Sequence, residues 1–576
     1  MSEAPLPEQP RRGLWADVLA LIAVAALGTK AVVGGLELTD YDLGDEAAVV
    51  VAATRIDEDG LPNAEFSPLY TLLARAHIWF GAPLGDVSYR MWACLAVALP
   101  CCVFGLARAL GAGRFAAVAV AGFIPATALI DVWPYSPYLT ACVIALGAAL
   151  AARLPGPAGP AVLGLSLLTA CYTRPENLFA LYGLAGLLVV PAVLGLCSSA
   201  RRASTVRALA LFAGGAALLG WALGSPFHPG GRLIIAFGQH YTQNRATAEG
   251  WAGVGWVEDW SIRFRQDFGD APSVGGAWRA NADAVYWHLW RNARRFPECL
   301  SACATPHTEL TAIRLPHVHP DAPVQRPKTR NVARWAVALA LAVGLFGAAA
   351  GLRRWWTAAE PSALPLGALA VLVLVPPMLA ASLVVFPRFH YMIPFLATSA
   401  ALAAAGFRHL APNMQPGAGA TVALVALLAF VVPNRAHGWC AQQYLLGARG
   451  GEIAKLPTAA RDTVRAIRAL NLQGTVRFLD HTASRQFYSG FGSDCASVFA
   501  VPPGMPFDEY VRTHDVGVLI LEPDLVTVGP VLRNAPEVRA LAAGTESALF
   551  RLFPVEGQPH LRVAVRRDLL PPEVQR

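Results

Sequence analysis

Residues 14–35 read LWADVLALIAVAALGTKAVVGG, a run in which only Asp17 and Lys30 carry charge. A helix rises about 1.5 Å per residue, so about 20 apolar residues cross roughly 30 Å of hydrocarbon. Arg11 and Arg12 precede the run, and Glu37-Leu38-Thr39-Asp40 follows it directly. A cleaved signal peptide would carry a shorter apolar stretch of about 7–15 residues ending in a small-residue cleavage site. The run therefore reads as an uncleaved anchor with its N-terminus in the cytoplasm.

Ten further runs of the same kind follow, at 91–110, 115–131, 138–152, 159–173, 177–196, 208–224, 333–352, 363–386, 390–406 and 417–433. The whole 576-residue chain is 55% hydrophobic and 15% charged, where a soluble protein carries about 25% charged residues. The fold class expected is an α-helical polytopic membrane protein of about 11 transmembrane helices. Alternating the runs from a cytoplasmic N-terminus puts Arg108 and Arg114, Arg153, Arg201, Arg202 and Arg207, Arg353 and Arg354, and Arg408 in the cytoplasmic loops. The opposite short loops hold Asp131-Val132-Trp133-Pro134-Tyr135, Thr173-Arg174-Pro175-Glu176 and Pro387-Arg388-Phe389-His390. That bias obeys the positive-inside rule. The net charge of +7 thus belongs to topology, and no basic stripe with interleaved aromatics marks a nucleic-acid partner.

Three longer segments fall on the outer face: the loops 36–88 and 225–330 of a membrane domain spanning 1–433, and a tail over 434–576. Trp251, Trp256, Trp260, Trp278, Trp287 and Trp290 in the second loop suit helices lying at a membrane surface. The tail reads as a small α/β domain. Helical spacing covers 458–470 and 537–543, and strand patterns cover 475–479, 516–521 and 548–553. It has no Gly-rich phosphate loop and no metal-ligand spacing. Cys299 with Cys303, or Cys440 with Cys495, could oxidise on the outer face. The cysteines of the spans behave as small hydrophobes.

Chemistry concentrates in the first outer loop, where Asp40, Asp42, Asp45 and Glu46 follow Glu37 at the exit of the anchor. Acidic outer loops are ordinary, and acids also stabilise a helix N-terminus. Here, however, Asp45-Glu46 opens an apolar helical run, 47–54, that would hold the carboxylates at a fixed depth. Glu65-Phe66-Ser67-Pro68-Leu69-Tyr70 then leads into the apolar run 71–80. Further along, Arg174 and Glu176 sit at one outer loop, and Arg388, His390 and Tyr391 at another. Ionisable groups at membrane depth are costly and usually functional or paired. Arg174 is placed to meet an anionic ligand or to pair with Glu176, and Arg388 with His390 and Tyr391 forms a second candidate cradle. Asp131 either faces the same cavity or simply ends a helix in a tight loop before Pro134.

The order of these features resembles the C-fold (GT-C) membrane glycosyltransferases, which include protein O-mannosyltransferases and the bacterial aminoarabinose transferase. Asp45-Glu46-Ala47 is similar to the family's Asp-Glu-Ala motif. Ser67-Pro68-Leu69-Tyr70 is similar to its Pro-Pro-Leu-Tyr segment, with Ser in place of the first Pro. Ser88-Tyr89-Arg90 and Pro387-Arg388 also fit. The resemblance covers roughly residues 14–433. It implies an enzyme of the bacterial inner membrane, with a periplasmic site and a periplasmic α/β tail. Its donor would be a polyprenyl-phosphate-linked sugar and its acceptor a glycan, lipid or protein. It also implies inversion at the anomeric carbon, with Asp45 as base, Glu46 orienting it, and Asp40 and Asp42 as alternates. The carboxylates offer oxygen ligands for a divalent ion, Mg or Mn, which the resemblance does not require. A transporter, or a non-catalytic component of envelope polysaccharide assembly, is the alternative. A transporter would place its charges near mid-membrane in repeated halves, whereas these cluster at the outer ends of spans.

Overall fold

The computed structural model describes residues 12–34, 41, 45–127, 129–130, 134–199, 201–227, 231–249, 260–303, 328–358, 363–410, 416–432, 459–480, 484–492, 495–497, 505–522 and 535–575. Each of the eleven apolar runs coincides with a helix. These are Arg12–Val32, Val87–Ala109, Arg114–Ala126, Pro137–Ala151, Ala158–Cys171, Leu178–Cys197, Arg202–Leu223, Lys328–Ala358, Leu364–Leu379, Ile393–Leu410 and Ala418–Val431. Among the described residues, six helical segments are long and apolar enough to cross a membrane: Leu14–Val32, Leu84–Ala109, Pro175–Cys197, Arg202–Leu223, Leu364–Val385 and His390–Leu410. The apolar window of His390–Leu410 is 78% buried, whereas that of Arg202–Leu223 is 11% buried. The first is therefore the axis of the bundle. The second, with Trp221 bare at its end, has a surface that only hydrocarbon would solvate well.

Close packing around that axis uses small residues. Helix Lys328–Ala358 lies against Ile393–Leu410, and a side chain at Gly406 would run into the backbone of Gly344. Without a hydrophobic drive between helices in lipid, such close van der Waals approach is what holds them together. At one end of the bundle, Asp17 receives Arg108 at 2.9 Å and Arg114 at 2.8 Å, and Arg408 reaches the Gly111 carbonyl at 3.2 Å. Loops that the charge bias assigns to one face thus meet at one end of the bundle.

The two long loops are structured. The first contains helices Asp45–Thr54 and Pro68–Trp79. The second contains Gly231–Glu249, Trp260–Phe268, Val274–Ala280 and Ala282–Cys303, packed on a core of their own made by Phe237, Tyr241, Phe264, Phe268 and Val285. Trp260, Trp278, Trp287 and Trp290 lie on these helices, and Trp251 and Trp256 lie outside the described residues. Cys299 and Cys303 are not bonded to each other but stand one turn apart on a single helix, with Cys303 Sγ donating to the Cys299 carbonyl. The disulfide considered for them is not formed. Cys440 lies outside the described residues.

Pro376 and Pro377 lack the N–H that continues a helix, and the chain past Leu379 widens into a π turn, Ala380–Val385. The carbonyls it turns out are met by the second loop. Asn292 Nδ2 donates to Leu383 O at 2.8 Å, His288 Nε2 lies 3.1 Å from Val384 O, and Asn244 joins His288 and Asn292 at 3.0 and 2.9 Å. His288 and Asn292 are fully buried, so this network fastens the helices of the second loop to the end of the span.

The tail folds into a five-stranded sheet, β1 (Arg477–Asp480), β2 (Cys495–Ser497), β3 (Val516–Leu521), β4 (Phe550–Val555) and β5 (Gln558–Arg566), in the order β2-β1-β3-β5-β4. β1 runs parallel to β2 and β3, and β5 antiparallel to β3 and β4. Helices Ala459–Ala469 and Pro536–Ala542 match the helical spacing in the sequence. Strands β2 and β5 were not anticipated. The short β2 is a sheet edge of three residues, and β5 pairs with β4 as a hairpin whose polar outer positions mask the alternation. Arg485 lies at the strand ends, 2% exposed, bonded to Asp480 at 2.8 Å and to Glu522.

Burial, together with the charge of Arg388, depresses the His240 pKa to about 3, and burial depresses that of His288 to about 4. An unfolded histidine titrates near 6.5. Between these values the unfolded chain binds more protons, so this contribution to stability is present above pH 6.5 and is lost as pH falls toward 4. We expect the detergent-solubilised protein to melt several degrees lower at pH 5 than at pH 7. The difference should shrink in His288→Gln. An unchanged difference in that variant would remove His288 from the acid response.

Candidate active site

Ser67 has φ +58°, in the left-handed region, and is buried. This turn swings Pro68 into the first position of helix Pro68–Trp79, where a proline is well tolerated. Ser67 Oγ donates to the Thr173 carbonyl at 2.7 Å, and Leu69 N donates to the Tyr172 carbonyl at 3.1 Å. Tyr70, fully buried, donates its hydroxyl to the Pro134 carbonyl at 2.6 Å. The hydroxyls of Thr140 and Thr173 meet at 2.6 Å. The Ser-Pro-Leu-Tyr segment thus braces two neighbouring turns, and the residue next to the brace is Arg174.

Arg174 Nε donates to Glu176 Oε1 at 2.9 Å, and Tyr391 lies under its guanidinium at 5.3 Å. Asn177 Nδ2 closes the turn on the Arg174 carbonyl at 2.9 Å. Burial works against the Arg174 charge, but Glu176 and Tyr391, with Glu46 also in electrostatic range, outweigh it and raise its pKa. Glu46 acts in addition on Tyr70, whose pKa is raised mainly by burial. Helix Asp45–Thr54 therefore puts Glu46 in electrostatic range of both Tyr70 and Arg174.

His390 completes the cluster, with ring centroids 4.4 Å from Tyr135 and 4.3 Å from Tyr391. Arg174, Glu176, His390, Tyr391 and Thr140 line one partly open pocket, closed on its apolar side by Leu374, Pro377, Met378 and Phe395. Two loops more than 200 residues apart in sequence thus line one pocket. Its floor is the helix that the two prolines open into the π turn.

Arg388 does not line this pocket. It is exposed and points to the second loop, with Nη2 3.2 Å from His240 Nε2. The cradle read from Arg388, His390 and Tyr391 is divided, because the extended backbone of Arg388 aims it away from the 3-10 turn Phe389–Met392 that turns His390 and Tyr391 inward. Asp45 opens its helix, with its side chain outside the described residues, as are Asp40, Asp42 and Asp131 entirely. Thr140, Thr173 and Tyr135 were missed. Their signal was a polar or aromatic residue at the end of an apolar run. Among the described residues no group of three His, Cys, Asp or Glu side chains is placed to hold a metal ion.

No protein-family model matches the chain, and no curated protein does. Among solved structures, it is similar to an apo oligosaccharyltransferase of Archaeoglobus fulgidus at 12% identity, covering 88% of this chain and 70% of that one with a TM-score of 0.42. It is similar to AglB of the same organism, in complex with an inhibitory peptide and a dolichol-phosphate, at 12% identity, 90% and 71% coverage and a TM-score of 0.44. ArnT from Cupriavidus metallidurans, bound to undecaprenyl phosphate, is similar at 13% identity, 95% and 97% coverage and a TM-score of 0.40. AglB and ArnT are membrane glycosyltransferases of the C-fold.

The left-handed turn explains why Ser stands at 67. Proline fixes φ near −65° and cannot adopt +58°. Ser67→Pro should therefore melt well below the native protein. In Ser67→Gly the gain from an unstrained left-handed residue, about 1 kcal/mol, offsets the lost hydroxyl bond of about 1 kcal/mol. That variant should stay near native in a melting experiment. Equal melting of Ser67→Pro and the native protein would refute the assigned turn.

Proposed function

We propose that the chain is a C-fold membrane glycosyltransferase of the bacterial inner membrane. It moves a sugar from a polyprenyl-phosphate donor to an acceptor on the periplasmic face. The observation that carries the reading is the convergence of Arg174, Glu176, His390 and Tyr391 in one pocket at the end of the bundle, with Glu46 in electrostatic range of Arg174. The sequence resemblance supports the same reading.

The chemistry follows from charge. A lipid-phosphate leaving group gathers negative charge as the bond from its oxygen to the anomeric carbon breaks. A preorganised cation in a desolvated site stabilises that charge strongly. Glu176 engages the Nε edge of Arg174, leaving the Nη fork to take phosphate oxygens in the geometry that suits guanidinium. Tyr391 beneath the guanidinium holds its plane. His390 and Thr140 add polar groups to the wall, and the apolar side accepts the first part of the carrier chain.

On the other side of the sugar, an acceptor hydroxyl loses its proton as its oxygen attacks the anomeric carbon. Asp45 takes the proton, and Glu46 orients Asp45 or the acceptor. Attack opposite the departing phosphate inverts the centre. Arg388 lies outside the pocket, on the rim with His240, where it contacts the carrier or the acceptor rather than the reacting phosphate.

The test is transfer of radiolabelled sugar from a panel of polyprenyl-phosphate donors in membranes carrying native or variant protein at equal expression. Asp45→Asn should lower transfer by about 100-fold or more, as loss of a general base does. Arg174→Lys keeps the charge and loses the fork, and should cost about 10- to 100-fold. Equal transfer by Asp45→Asn would move the base to Asp40 or Asp42. Absence of transfer by the native protein from every donor would overturn the reading.

A further inference from the structure

Tyr41 stands in the middle of the acidic loop, between Asp40 and Asp42, and its ring is held from three sides. The guanidinium of Arg461 lies 5.0 Å over it, and the ring of Tyr488 is 5.0 Å away at 51°. On the third side a Cβ at Gly85 would overlap the ring. Arg461 in turn reaches Asp86, the neighbour of Gly85, at 3.6 Å. Gly85 and Asp86 begin the second span, while Arg461 and Tyr488 belong to the sheet domain. The grip therefore joins the acidic loop, the membrane domain and the tail. Tyr488 is 2% exposed, and it and Val464 pack into the hydrophobic core of the membrane domain rather than into that of the sheet.

We infer that Tyr41 is a positioning residue, through which the C-terminal domain sets the place of the catalytic carboxylates. The inference rests on the glycosyltransferase reading for its consequence and on contact geometry for its cause. Successive Cα atoms are about 3.8 Å apart, so Asp40 and Asp42 are tethered directly to a fixed point, and Asp45 lies four residues on. A general base must sit within hydrogen-bond reach of the proton it takes, and a misplacement of about 1 Å costs up to about 100-fold in rate. The tail supplies two of the three contacts that hold Tyr41 in place. This gives the sheet domain, which shows no catalytic motif, a task in the reaction without contact to substrate.

Gly85→Ala tests this without removing any atom of the grip, because the added methyl displaces the Tyr41 ring. We expect kcat to fall about 10- to 100-fold with KM for the donor within about 2-fold, since the Arg174 pocket is untouched. Combined with Tyr41→Ala, which makes room, Gly85→Ala should add no further loss. Tyr488→Phe should retain activity, because the Tyr488 hydroxyl has no partner among the described residues, whereas Tyr488→Ala should lose it. Multiplicative losses in the double variant would overturn the inference. Hydrogen exchange of residues 41–54 provides a readout independent of transfer. Faster exchange in Gly85→Ala than in the native protein supports the grip, and equal exchange overturns it. If the native protein transfers no sugar, the exchange result still decides the grip, and only the glycosyltransferase reading fails.

Discussion

A guanidinium placed at the end of a helical bundle, one-fifth exposed, must be compensated or it will not stay there. Arg174 is compensated by the carboxylate it touches, Glu176, by the aromatic face of Tyr391 and, from further off, by Glu46. That compensation draws on parts of the chain far apart in sequence. Glu176 is two residues away and comes with the turn. Tyr391 has to be delivered by a distant span. The π turn after Pro376-Pro377 and the 3-10 turn at Phe389–Met392 deliver it, and the buried His288–Asn292 network secures the carbonyls those irregularities expose.

Irregular backbone at this depth is tolerated only where it is buried in protein or lines a cavity. Here it does both. The outer helices of the second loop cover the turned-out carbonyls on one side, and the pocket opens on the other. Across the pocket, the left-handed turn at Ser67 uses the opposite device, with side-chain hydroxyls meeting the free carbonyls of Pro134 and Thr173. Each interruption of a helix is matched by a polar partner from a neighbouring segment, so the backbone around the pocket is well fixed even though its lining is assembled from four separate stretches.

The helical class was legible because hydropathy in runs of span length reads out a single physical demand, that every backbone group be satisfied within its own helix. The strands β1 and β3 were legible as short apolar runs, and β2 and β5 were not, because an edge of three residues and a hairpin partner with polar outer positions carry no run. At the site, Arg174, Glu176, His390 and Tyr391 stood out as charge or aromatic at membrane depth, but that they share one pocket depends on the packing of the last spans, which hydropathy does not encode. Arg388 shows the same limit from the other side. One residue of spacing and an extended φ separate it from His390 and send it to a different neighbour. Tyr41 carried no signal at all, since its partners lie in the second span and the tail.

Arg174, one-fifth exposed, and Arg485, buried, differ in a way that separates structure from chemistry. Arg485 sits between Asp480 and Glu522 at the ends of parallel strands, in a place where open α/β sheets often bind ligands, but two carboxylates already engage both its Nη groups. Removing Arg485 would leave two carboxylates uncompensated, one of them fully buried, at a cost of about 3–5 kcal/mol. It is a rivet. Arg174 has one carboxylate, held on its Nε edge, and a polarisable ring below. It is balanced well enough to remain charged without a ligand, and its Nη edge still has capacity for an anion. A site that must bind a phosphate ester and then stabilise the freed phosphate needs such partial compensation. Full pairing would compete with the leaving group, and no pairing would leave the guanidinium unable to persist between turnovers.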